Sequence, residues 1–189
     1  FDESIDCYLL ASDWVVQDYW KEAAQHHRTF HNLRTWAAGI DAAEWSPSDM
    51  KDDNPMQKVL IYVKRDGWDV YERVQHMMEL SGREVKILKY GEYVPSDYKY
   101  LLNWCDFMII CGGNETQGIY MAQAWSMNRP TLVYEAAAVI DRGGNSAPYI
   151  TESTGQKWHD FNELKEGLRV IGRCRPRTWV LFIPGIGRM

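Results

Sequence analysis

From Lys58 onward, short apolar runs alternate with longer amphipathic stretches. Lys58 to Val63 reads as a strand. Val59, Leu60, Ile61, Tyr62 and Val63 are continuously apolar, the pattern of a strand buried on both faces. Val70 to Leu80 reads as a helix, stopped by Ser81-Gly82, because glycine suits the left-handed position after a helix end. Glu84 to Leu88 is a second strand, and Ser96 stands where it can cap a helix from Asp97 to Asn103. Phe107 to Ile110 is a third strand, Thr116 to Met127 a helix, and Thr131 to Tyr134 a further strand. Asp160 to Val170 is a later helix, and Arg177 to Phe182 reads as the start of another. Strand and helix alternating over short connections predict an α/β protein: a Rossmann-like parallel sheet with helices on both faces.

The residues before this alternation read differently. Tyr8 to Ser12 has the pattern of a short strand, and Ser12 or Asp13 can cap a helix from Trp14 to about Ala24. Ser46 to Gln57, rich in Pro, Asp, Ser and Asn, reads as a linker. The expected division is residues 1–50 as the remnant of a preceding domain with its hinge, and residues 51–189 as the Rossmann-like domain. The chain starts at Phe1 with no visible signal peptide, so the expectation is a piece of a longer protein.

Composition narrows the partners. The chain has 189 residues, nine Trp and eleven Tyr, enough to bury a substantial core. A net charge of −5 with mixed signs argues against nucleic acid, whose binders carry a basic face. No apolar run approaches the length of a membrane span. The four cysteines, Cys7, Cys105, Cys111 and Cys174, form no close metal-type pair and fit a reduced, cytoplasmic protein. His26, His27 and His31 lack a carboxylate or cysteine at ligand spacing, so no metal is expected there.

In a doubly wound sheet, ligands bind beyond the carboxyl ends of the strands, where the strand order reverses. Three loops fall at that end: Lys64 to Gly67, Tyr90 to Tyr93, and Cys111 to Gly118. The third runs into a helix, whose start offers unpaired N–H groups and positive dipole to a phosphate. Glu115 adds a carboxylate free to hold sugar hydroxyls, and Asn114, Thr116 and Gln117 flank it.

These residues resemble the C-terminal half of GT-B glycosyltransferases, in particular the retaining family-four type. That signature is a Glu, seven residues and a second Glu, with a Gly after the first and a Gly-x-Pro-Val turn after the helix. Glu115 takes the first place, Gly118 follows, Arg129-Pro130-Thr131 stands for the turn, and Gln123 occupies the second Glu position. The resemblance implies half of a two-domain fold that binds a nucleotide-diphosphate sugar and passes the sugar to a glycan or other acceptor, as in polysaccharide biosynthesis. Lys64 and Arg65 match the basic pair on the donor diphosphate, where fixed cations stabilise a leaving group that gains charge. Glu115 matches the residue at the sugar and reaction centre. Gln123 keeps an acceptor for the ribose hydroxyls without the charge. The N–H groups of Gly118 and Ile119 would hold the β-phosphate. Gly91, Glu92 and Tyr93 match the loop beside the base, on which Tyr93 could stack.

No cofactor is implied, and no metal, since no Asp-x-Asp motif stands where it could hold one at a diphosphate. The acceptor and the absent N-terminal domain would complete the enzyme. Two readings stay open beside it. One is a non-catalytic Rossmann-like or flavodoxin-like nucleotide-binding module. The other is a nucleotide-sugar epimerase of the same fold.

Overall fold

The computed structural model describes residues 5–26, 31–37, 39–48, 56–64 and 68–174. Its centre is a five-stranded parallel sheet formed by β3 (Lys58–Val63), β4 (Glu84–Lys89), β5 (Phe107–Cys111), β6 (Thr131–Tyr134) and β7 (Gly155–Trp158). A separate two-stranded parallel sheet joins β1 (Tyr8–Leu10) to β2 (Leu33–Thr35), with α1 (Asp13–Gln25) between them. The remaining helices are α2 (Trp68–Leu80), α3 (Pro95–Trp104), α4 (Ile119–Ser126), α5 (Ala137–Asp141) and α6 (Phe161–Val170), the last followed by a 3-10 turn at Ile171–Arg173.

Alternation along β3 sorts the core onto two faces, because successive strand side chains point to opposite sides. Val59, Ile61 and Val63 pack with Val74 and Met78 of α2, Leu164 of α6 and Trp158. Leu60 and Tyr62 pack with Tyr98 and Leu102 of α3 and with Met121 and Trp125 of α4. Helices therefore cover both faces, and all of β3 after Lys58 is buried, as its continuous apolar run predicts. Each large side chain fully buried here contributes about 1.5–3 kcal/mol of transfer free energy.

Helix ends follow local chemistry. Gly82, in left-handed conformation, closes α2 with N–H bonds from Gly82 to Glu79 (2.9 Å) and from Arg83 to Met78 (3.2 Å). Asn128 plays the same part after α4, and Arg129 N–H reaches back to the Ala124 carbonyl at 2.8 Å. Two expected helix starts move, those of α3 and α4. Val94, not Ser96, holds the cap position of α3, with Pro95 first in the helix and the Asp97 carboxylate accepting from Val94 N–H at 3.2 Å. Ser12 holds the cap position of α1, as expected, although its hydroxyl makes no cap bond. The helix expected from Thr116 starts at Ile119, because Gly118 turns the chain through a left-handed conformation (φ 63°) that residues 116 and 117 must precede.

One strand of the main sheet lies outside the expectations. β7 was not anticipated, because Gly155-Gln156-Lys157-Trp158 carries no apolar run; it closes the sheet beside β6. A Cβ at Gly155 would stand 1.9 Å from the Thr131 carbonyl oxygen of β6, so only glycine lets the two backbones pair there. Trp45, placed by sequence before the domain boundary, is buried in the large core and lies 5.9 Å from the Tyr98 ring. Just beyond it, within the expected linker, Ser48 binds the Asn103 carboxamide through both its N–H and its hydroxyl, each at 3.0 Å. The expected helix at Arg177 to Phe182 lies outside the described residues. Among the described residues no helix is long and apolar enough to cross a membrane.

Candidate functional site at the switch point

The strand order is β4-β3-β5-β6-β7, so the chain winds one way from β3 to β4 and then returns to the other side of β3. The crevice between the ends of β3 and β5 is where ligands of such sheets bind. Lys64 follows β3 and Glu115 lies four residues past β5, and these strands pair with Val63 opposite Cys111. The Lys64 N–H bonds the Cys111 carbonyl at 2.9 Å, fixing the lysine at the mouth of the crevice.

A cavity of about 330 Å³ opens there. Of the residues singled out by sequence, it gathers Lys64, Tyr93, Glu115, Thr116, Gln117, Gly118, Ile119 and Gln123. Ile119 and Gln123 share one face of α4, being four residues apart. Three expected residues are not on its wall. Asn114 is turned to the neighbouring loop, where its carboxamide oxygen accepts from Asn145 N–H at 2.8 Å. Gly91 and Glu92 are exposed and shape the turn after β4; Glu92 N–H bonds the Lys89 carbonyl at 3.1 Å. Arg65 lies outside the described residues. A larger cavity of about 410 Å³ sits by Gly155 and Ile171, at the amino end of β7 and away from these loops.

The chief correction concerns Glu115. It is not a free carboxylate: the Lys64 ammonium donates to its Oε1, and the Tyr120 hydroxyl donates to the same oxygen at 3.0 Å. Sequence gave these two residues separate tasks, but neighbouring strand ends bring them together. Glu115 is 7% exposed, and a carboxylate so buried requires partners. Its backbone is held as well. The Glu115 N–H bonds the Asn145 carbonyl at 2.8 Å, and the Trp14 indole N–H bonds the Glu115 carbonyl at 2.8 Å. Tyr149 donates its hydroxyl to the Ala11 carbonyl, so α1 and its strands dock beside the Glu115 loop.

Tyrosines complete the cavity, and most were not read as site residues. Tyr62 stacks on Tyr120 with centroids 4.5 Å apart and shares a hydroxyl–hydroxyl bond of 2.9 Å with Tyr93. The Lys64 ammonium stands 5.1 Å from the Tyr90 ring centroid and 5.6 Å from that of Tyr120, within cation–π range. Burial pushes the Tyr62, Tyr93 and Tyr120 phenols above their ordinary range, and the Glu115 charge adds to this at Tyr62 and Tyr120. All three therefore stay protonated near neutrality. The only available signal was position: Tyr62 is one residue from the end of β3 and Tyr120 is two residues past Gly118.

From the described residues the cavity can thus offer one ammonium, one carboxylate, neutral hydroxyls and aromatic faces. The first N–H groups of α4 have no acceptor a turn earlier in their own helix. Among the described residues no group of three or more His, Cys, Asp or Glu is gathered as a metal site. Fold and site together define a doubly wound α/β protein with a tyrosine-walled cavity at its switch point. No protein-family model matches the chain, and no curated protein matches it.

Proposed function

We propose that this chain is the donor-binding domain of a glycosyltransferase, holding a nucleotide-diphosphate sugar in the switch-point cavity. The observation that carries this reading is the convergence of Lys64, Glu115 and the start of α4 on one cavity between β3 and β5. A diphosphate would take the ammonium of Lys64 and the N–H groups at Ile119 and Tyr120. Gln123 would accept from the ribose, Tyr93 would offer its face to the base, and Glu115 would receive sugar hydroxyls. Transfer to a glycan or other acceptor would need the second domain, because holding both reactants in reacting geometry supplies about 7–11 kcal/mol in favourable cases.

A second reading is favoured by the strand order. Counted from β3 it is 2-1-3-4-5, the order of flavodoxin-like modules. One experiment separates the two. Calorimetry with UDP, GDP, ADP, TDP, their sugars and FMN, with magnesium or with chelator, is expected to yield a nucleoside diphosphate that binds in both conditions. Lys64→Ala is expected to weaken that ligand by about one to two decades, as loss of a charge-assisted hydrogen bond of about 1.5–3 kcal/mol requires. Binding of FMN alone would establish the second reading, and binding only with magnesium would refute the metal-free site.

A further inference from the structure

We infer that the Lys64–Glu115 ion pair is a latch that makes the cavity prefer a sugar-bearing nucleoside diphosphate over the bare one. The inference rests on the proposed function and assigns the same cavity its selectivity. Among the described residues Lys64 is the cation that lines the cavity, and its ammonium is already committed to Glu115. Its stem is confined, because a Cβ at Gly112 would stand 2.8 Å from Lys64 Cβ. The lysine therefore meets a ligand from a fixed root, next to the carboxylate.

A bare diphosphate entering this cavity draws on the ammonium and brings its negative charge toward the Glu115 carboxylate. Like charges repel strongly where water is sparse. Among the described residues, the carboxylate keeps the Tyr120 hydroxyl alone as side-chain compensation when the ammonium swings to the phosphate. A sugar attached to the diphosphate changes this. Its hydroxyls donate to Glu115, replace the departed ammonium and satisfy the buried oxygens. The ligand that delivers both groups opens the latch without leaving a charge bare, and the spent nucleoside diphosphate is the weaker ligand.

The test is calorimetric titration of the chain with one nucleoside diphosphate and its sugar conjugate, using the base found to bind. The unaltered chain is expected to bind the conjugate at least about tenfold more tightly. Glu115→Gln keeps an acceptor for the Tyr120 hydroxyl and removes the charge. It is expected to bind the bare diphosphate about tenfold more tightly than the unaltered chain does and to lose the preference, with its fold checked by thermal melting. Equal or tighter binding of the bare diphosphate by the unaltered chain overturns the latch without any variant. So does unchanged or weaker diphosphate binding by a folded Glu115→Gln. In both of those outcomes nucleotide binding, and with it the proposed function, survives. Failure of the unaltered chain to bind either ligand removes the proposed function and the latch together.

Discussion

Two glutamates sit at the carboxyl end of the sheet and use one chemistry for different ends. Glu115 follows β5 and Glu135 follows β6, and each is 7% exposed. Each holds a lysine rooted on a neighbouring strand, Lys64 past β3 and Lys157 within β7. Around Glu135 the protein supplies the partners. Its Oε1 accepts from Lys157 at 2.8 Å and from Ser146 N–H at 3.1 Å, and Lys157 also donates to the Asn145 carboxamide at 2.7 Å. Glu115 and Lys64 instead line the cavity, among tyrosine rings. A buried ion pair is by itself a structural device. What distinguishes the Glu115 pair is the space in front of it.

The two pairs should part most widely in alkali. Burial holds the Tyr62, Tyr98 and Tyr120 phenols above their ordinary range, and all three belong to the core face beneath Glu115. An unfolded tyrosine ionises near pH 10. Below that pH neither state has lost the proton and the stability is whole. Above it only the unfolded chain releases protons, so stability falls by about 1.4 kcal/mol per group per pH unit. Cys105 and Cys111, pushed up to about 12 by burial, act in the same direction. Urea unfolding at rising pH measures the slope, and Tyr120→Phe should flatten it. A slope indifferent to that change would mean that the tyrosine side of the sheet is solvated.

Removing Glu135 is the next largest effect. Glu135→Ala leaves Lys157 without its anion and Ser146 N–H without its acceptor, and breaking a buried pair in this way should cost about 3 kcal/mol. Nucleoside diphosphate affinity of the folded variant should stay unchanged. Normal stability with lost binding would reverse the roles given to the two pairs.

Much of this arrangement was legible in the chain, for identifiable reasons. β3 from Val59 onward and β5 are continuous apolar runs because they are covered on both faces, and β6 follows with Leu132 and Val133 buried. Lys64, Glu115 and Gly118 could be placed because strand ends and helix starts mark where a parallel sheet binds. β7 was illegible because its buried positions are Gly155 and Trp158 alone, with Gln156 and Lys157 between them. Trp45 was illegible because a Pro- and Asp-rich stretch gives no hint of which core a preceding side chain enters. The ion pair and the tyrosine wall arise only when residues far apart in the chain are laid side by side, Tyr62 with Tyr93 across 31 positions and Lys64 with Glu115 across 51, so local pattern carries no trace of them.

The smallest expected effect concerns the docking of α1. Tyr149→Phe removes the hydroxyl that holds the Ala11 carbonyl, a loss of about 1 kcal/mol. Hydrogen exchange should quicken in α1 while the main sheet keeps its protection. Uniform quickening would instead make the small sheet and the large one a single cooperative unit.

Gly155 has a consequence for how this gene can vary. Every replacement there adds the carbon that would meet the Thr131 carbonyl, whatever else the new side chain brings. A saturation scan should therefore show a column with no tolerated letter at 155. The column at Gln156, half-buried beside it, should accept many. A position silent in chemistry and absolute in sequence makes a good landmark for aligning distant kin, sharper than the charged residues of the cavity, which a change of ligand is free to rewrite.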